Sequence, residues 1–188
     1  MIFLVEKGVS EYVLKDYIPH TGEEIVKELN ELAMPLRGKR VFMINATKDG
    51  GGVAVLLNSI VPALNELGIE AYWFAINGDS EFFNATKSFH NGLQGEMMDD
   101  LQEKMDEYDN FYKNRFKDLN QHILDHLENF DESDVVVIHD PQPAALIDYR
   151  RDDGSSWVWR CHIDLSKPVP KLWSYMHQFI SRYDELIV

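Results

Sequence analysis

The chain has 188 residues, room for one well-packed domain with a short appended segment, and its 45% hydrophobic and 12% aromatic content excludes disordered, fibrous and collagen-like classes. A net charge of -14 opposes attraction to nucleic acid or an anionic bilayer, and no run of about 18 to 20 apolar residues is present to span a membrane as a helix. The single cysteine, Cys161, excludes an internal disulfide framework, and Met1 to Tyr12 lacks the basic and apolar regions of a signal peptide, so a soluble cytoplasmic protein is expected.

In chain order, Thr21 to Glu24 has the spacing of a capping box, and Ile25, Val26, Leu29, Leu32 and Ala33 follow at helical intervals. They predict a leading helix that ends near Gly38, so residues 1–38 read as an N-terminal helical extension and 39–188 as the main domain. Arg40 to Asn45 is a short β-prone run. Gly50, Gly51 and Gly52 come next, then Val53, Leu56, Leu57, Ile60, Val61, Leu64 and Leu67 at helical spacing, closed by Gly68. With a further strand over Ile69 to Ile76, this unit reads as a βαβ crossover.

Asn77 to Gly95 is turn-rich, yet Phe82, Phe83, Phe89 and Leu93 predict an ordered functional loop with a helical turn. Met97 to Phe130 reads as helix with a break near Asn110 and an apolar stripe of Leu101, Met105, Tyr108, Tyr112, Leu119, Ile123 and Leu127. Its many carboxylates read as a solvated face. Asp134 to His139 has the near-continuous apolar character of a strand buried on both faces. Pro143 to Arg150 gives a short helix, Trp157 to Ile163 a strand, Lys171 to Tyr183 a helix, and Glu185 to Val188 the opening of another strand. This alternation predicts an α/β fold with a doubly wound, mostly parallel sheet. A chain that stops with a strand just begun is expected to be part of a longer protein.

Ligands of such sheets bind beyond the carboxyl ends of the strands, and four polar clusters fall there. Thr47 to Val53 carries three glycines that can turn backbone N–H groups toward an anion at a helix N-terminus, although it is neither a dinucleotide fingerprint nor a P-loop and reads equally as a tight turn. His139, Asp140 and Gln142 follow one strand, and Arg160, His162 and Asp164 another. A metal set drawn from His139, Asp140, His162 and Asp164 matches no closed zinc spacing, so no metal is expected. Cys161 points away from its neighbour His162 along a strand and reads as a buried core thiol. The fourth cluster, Glu81 to Gln94, offers Lys87, His90, Asn91 and Gln94 for hydrogen bonds and aromatic rings for stacking, a mixture that suits a carbohydrate or, as plainly, a packed surface loop.

Asn45 to Thr47, Gly50 to Ala54, Trp73 with Phe74, Glu81 to Asn84, Phe89 to Asn91, His139 to Ala145 and Trp159 to Asp164 together resemble the trehalose glycosyltransferring synthases. That family is similar to the family 4 retaining glycosyltransferases of GT-B fold, in which two Rossmann-like domains face one another. The resemblance implies an N-terminal, acceptor-side half, with the donor-binding C-terminal domain absent and the fragment inactive alone. It implies transfer of glucose from a nucleoside diphosphate glucose to glucose, giving trehalose with no resident cofactor and no protein nucleophile. Gly50, Gly51, Gly52 and Val53 would hold the donor phosphates. Asp140 and His162 would be the catalytic pair, Asp140 on acceptor hydroxyls and His162 near the transferred glucose. Asn45, Lys87, His90, His139, Gln142, Arg160 and Asp164 would bind substrate. Glucose or trehalose and the nucleotide sugar are the implied partners, with room for a homodimer. Trehalose phosphorylases share much of the motif set, and a non-catalytic sugar-binding α/β module remains a third reading.

Overall fold

The computed structural model describes residues 14–188; the reading of Met1 to Tyr12 as free of a signal peptide lies outside the described residues. Five strands form one sheet: β1 (Arg40–Asn45), β2 (Glu70–Ala75), β3 (Val135–His139), β4 (Ser156–Arg160) and β5 (Glu185–Ile187), in the order β2-β1-β3-β4-β5 with every pair parallel. The doubly wound sheet expected from the alternation forms, and it is parallel throughout.

Parallel strands need crossovers, and these cover both faces. On one face, α3 (Gly52–Glu66) joins β1 to β2 and packs Ala54, Leu57 and Val61 against Val41, Met43, Ala71 and Trp73. The leading helices α1 (Leu14–Thr21) and α2 (Glu23–Ala33) add Leu14 and Ala33 to this core. On the other face lie α4 (Ser80–Leu93), α5 (Leu101–Asn114), α6 (Phe116–Leu127) and α7 (Pro170–Ile180), whose aromatic and aliphatic side chains bury Phe42, Ile44, Phe74, Val136, Ile138, Trp157 and Trp159. No helix among the described residues is long and apolar enough to cross a membrane.

Several sequence expectations change in detail. The capping box does not form: α1 runs through Thr21, whose hydroxyl donates back to the Tyr17 carbonyl, and Gly22 at φ 85 separates it from α2. Asn77 to Gly95 is not a loop but mostly the regular helix α4. Asp79 caps it by accepting the Phe82 N–H at 2.9 Å, and Phe82, Ala85, Phe89 and Leu93 are buried at helical spacing. The break in the long helical region falls at Arg115 rather than Asn110, with a second kink at Asn120, whose φ is -125 and ψ 24. Leu119, expected in the apolar stripe, is 42% exposed because the break shifts the helical phase. Pro143 to Arg150 narrows to a 3-10 helix over Ala144–Tyr149.

Both irregular positions have polar causes. Arg115 draws Asp79, Glu81 and Glu107 together, filling with a guanidinium the one place among the described residues where three carboxylates converge. Asn120 is buried and exchanges bonds with residue 77: its Oδ1 accepts the Asn77 N–H at 2.6 Å and its Nδ2 donates to the Asn77 carbonyl at 2.8 Å. An intrahelical bond has been exchanged for a tertiary one, which fixes the exit of β2 against α6.

At the amino end of the sheet, Arg40 makes a two-point bond to Asp134, Nε to Oδ1 at 2.6 Å and Nη2 to Oδ2 at 2.5 Å, joining the start of β1 to the approach of β3. The Asp134 side chain is fully buried, so removal of its partner strands a charge. Arg40→Met is expected to lower unfolding free energy by about 3 kcal/mol in urea titrations, and Arg40→Met with Asp134→Leu to recover most of that loss. Equal destabilisation of single and double variants would show that the ion pair is not the cause.

Candidate functional site

The strand order places a switch point between β1 and β3, where connections leave in opposite directions and open a crevice beyond the carboxyl ends. The polar clusters at the strand exits converge there. From β1, Asn45 is buried; its Oδ1 accepts the Trp73 indole N–H at 2.8 Å and its Nδ2 donates to the Thr47 carbonyl at 2.8 Å. Both ends of this amide are engaged by protein, so Asn45 shapes the turn that follows as well as lining the crevice.

That turn runs through Gly50 at φ 74 and Gly51 at φ 81 before α3 starts at Gly52. Positive φ at two consecutive positions is readily available only to glycine. No side chain caps α3. Its first-turn N–H groups, which have no partners within a helix, face the crevice with the positive end of the helix dipole.

From β3 and β4, Asp140 and His162 meet. Asp140 has φ 66, a left-handed conformation uncommon for an aspartate, and three bonds hold it there. Its N–H donates to the Arg160 carbonyl at 2.9 Å, its carbonyl accepts the Trp159 indole N–H at 2.9 Å, and its Oδ1 accepts the His162 backbone N–H at 2.7 Å. Behind His162 lies His139, 1% exposed, with its Nδ1 2.9 Å from His162 Nε2 and the two rings at 17° to one another, centroids 5.2 Å apart. His139 Nε2 meets no protein partner.

Burial governs the titration of this group. It pushes His139 down to about 3, helped by the neighbouring His162 and Arg160. It raises Asp140 above the usual carboxylate range, against the opposing pull of the His162 N–H and the charges of His162, His90 and Arg160. It lowers His162, with Asp140 pulling the other way. The thiol of Cys161, buried as expected, is pushed up to about 11 by the same cause.

A cavity of about 400 Å³ collects these parts. Asn45, Gly50, Gly51, Gly52 and Val53 line one side of it; His90, Asp140, Gln142 and His162 line the other. Gln142 adds its side chain to the wall, with its Oε1 buried and without a protein donor. Lys87, Arg160 and Asp164 are not among its lining residues: Lys87 is exposed on α4, and the Asp164 carboxylate accepts from the Ser166 N–H and hydroxyl. His139 sits behind the wall.

A larger cavity of about 760 Å³ adjoins it across Ala46 and Thr47, walled by Lys48, Phe83, Leu119 and His122. The smaller one is the better candidate site, because the helix N-terminus, the strained aspartate and the imidazole of His162 all line it. Sequence reasoning missed the larger cavity, whose walls come from the two irregular stretches around Gly78 and Leu119. It also missed Trp73 and Trp159 as supports of the site, although tryptophans just before polar strand exits were visible.

The model of the family described as trehalose synthase, N-terminal domain, matches residues 43–188. The chain belongs to this family. It is 46% identical over 174 residues to a trehalose synthase of Pyrococcus horikoshii and 40% identical over 174 residues to one of Thermococcus litoralis, in each case covering 93% of this chain and 40% of the relative. A trehalose phosphorylase of Pleurotus pulmonarius is 28% identical over 193 residues, covering 93% of this chain and 25% of the relative. The chain therefore spans about two fifths of the length of the synthases it matches. The five-stranded parallel sheet flanked by helices is the Rossmann-like form of a GT-B N-terminal half, as the sequence resemblance implied.

The glycine turn can be tested one residue at a time. A Cβ at Gly51 or Gly52 meets nothing within 4 Å, but only Gly51 has positive φ. Gly51→Ala is expected to cost about 1 kcal/mol through strain alone, and Gly52→Ala to leave the thermal midpoint unchanged or raised. Loss of stability in both would mean that the turn is constrained by more than φ. Acid stability offers a second measurement. Unfolded His139 takes up a proton near 6.5, whereas the folded residue resists until about 3. The contribution is full above about 6.5 and is lost as pH falls toward 3. His139→Asn is expected to flatten that part of the stability curve, and an unchanged slope would refute the assignment.

Proposed function

We propose that this chain is the acceptor-side half of a retaining glycosyltransferase that moves glucose from a nucleoside diphosphate glucose to glucose, forming trehalose, and that it is inactive without a donor-binding partner domain. The observation that carries this reading is the single cavity in which an uncapped helix N-terminus faces Asp140, Gln142 and His162. A helix N-terminus suits a departing diphosphate, and a carboxylate and an imidazole suit sugar hydroxyls. A sugar-binding module without transfer has no use for the anion cradle. The synthase reading is preferred to the phosphorylase reading because identity is higher toward the synthases, at 46% against 28%.

In this reading the N–H groups of Gly51, Gly52 and Val53 receive the negative charge that develops on the leaving diphosphate. Asp140 accepts from an acceptor hydroxyl, and the Gln142 side chain walls the same part of the cavity. His162, at the exposed lip of the cavity, contacts the transferred glucose, where interactions that strengthen as charge develops raise kcat. Glucose or trehalose and a nucleotide sugar are the partners proposed; no metal or resident cofactor is invoked.

The test joins this chain to a donor-binding half from a family member. Asp140→Asn and His162→Ala are each expected to lower transfer about 10²-fold, and Gly52→Ala to weaken donor binding, all with thermal midpoints close to that of the parent. Unchanged kcat/KM with a lowered midpoint would make Asp140 and His162 structural residues. The chain alone is expected to make no trehalose, and low-micromolar binding of nucleoside diphosphate glucose to it in calorimetry would contradict the proposed division of labour.

A further inference from the structure

The contact between His139 and His162 carries information that residue types alone do not. Its 2.9 Å distance between Nδ1 of one ring and Nε2 of the other requires one nitrogen to donate and the other to accept. Two arrangements satisfy it with neutral rings. If His162 donates, the proton of His139 must sit on Nε2, which is buried and meets no protein partner. If His139 donates, its Nε2 carries only a lone pair. Buried N–H groups without acceptors are rarer in folded proteins than acceptors left short of donors, and a stranded donor forfeits its full hydration. The second arrangement is favoured.

We infer that His139 is a positioning residue that donates from Nδ1 to His162 Nε2, thereby placing the His162 proton on Nδ1. His162 then offers a neutral N–H to a carbohydrate oxygen and has no free ring lone pair with which to act as a base. The second ring nitrogen of a histidine is commonly set by the bond that the first one makes. Here the bond is reinforced from the backbone, because the Asp140 carboxylate holds the His162 N–H at 2.7 Å and so keeps its ring edge to edge with that of His139. The direction of the His139 shift, toward a ring that stays neutral, agrees with this arrangement. His139 thus differs from the substrate-binding role that the sequence suggested.

The part played by the N–H toward sugar rests on the proposed function, whereas the tautomer does not. Long-range proton–nitrogen correlation spectra of the nitrogen-15-labelled chain at neutral pH are expected to show His162 protonated on Nδ1 and His139 protonated on Nδ1. In His139→Leu, His162 is expected to move to the Nε2-protonated form that predominates for free imidazole side chains in water. In His139→Asn, whose amide can donate from about the position of the lost Nδ1, it is expected to keep the Nδ1 proton. A merely space-filling His139 would alter the thermal midpoint in these variants without this exchange of ring shifts. Protonation of His162 on Nε2 in the parent, or retention of Nδ1–H in His139→Leu, would overturn the inference. Should His139→Leu fail to fold, the parent spectrum and His139→Asn decide the matter. Absence of sugar binding alongside the expected tautomers would sink the function proposed above and leave this inference standing.

Discussion

A parallel sheet covered on both faces must still satisfy its backbone where the strands end, away from bulk water. At the carboxyl edge of this sheet that requirement falls on a few side chains. Asn45 bonds the turn after β1 and the indole of β2, while Asp140 bonds the backbone after β4 and receives the indole of Trp159. The groups that close the sheet are therefore the groups that wall the cavity. Displacement of either would open the glycine turn or release His162, so fold and site share their supports.

The same supports sustain an unfavourable backbone. Left-handed geometry at a non-glycine residue costs of order 1 kcal/mol or more and persists where surrounding bonds over-determine it. Asp140 has three such bonds, and the result is a carboxylate held against the backbone that follows β4, at the wall of the cavity. Charge placement is equally selective. In a chain with net charge -14, Asp140 is the one acidic residue among the described lining residues of this cavity, with His90 and His162 beside it. The remaining acidic excess lies outside that lining, where it does not crowd an anionic ligand at the helix N-terminus.

The sheet was legible because its strands are short apolar runs bounded by glycine or polar clusters, and the site because His139, Asp140 and His162 directly follow such runs. Helix α4 was not, since Asn77, Gly78, Ser80, Asn84, Gly92 and Gly95 look like turn chemistry. The counter-signal was the spacing of Phe82, Ala85, Thr86, Phe89 and Leu93, which puts all five on one buried face. The position of the helix break was set by partners distant in sequence, Asp79 and Glu81 on Arg115 and Asn77 on Asn120, which no local pattern reveals. Arg160 ends β4 and Asp164 follows it, but both stand outside the cavity lining, because sequence order at a strand exit does not specify which way each side chain leaves the sheet.

The buried thiol of Cys161 has a use of its own. With its pKa near 11, only about one molecule in ten thousand carries the reactive thiolate at pH 7, and burial limits access to that fraction. The parent chain is thus a nearly silent background for maleimide or disulfide probes. A cysteine placed at an exposed lip of the cavity would label alone, and distances across the site could be followed in solution without first replacing a residue that lies directly between Arg160 and His162.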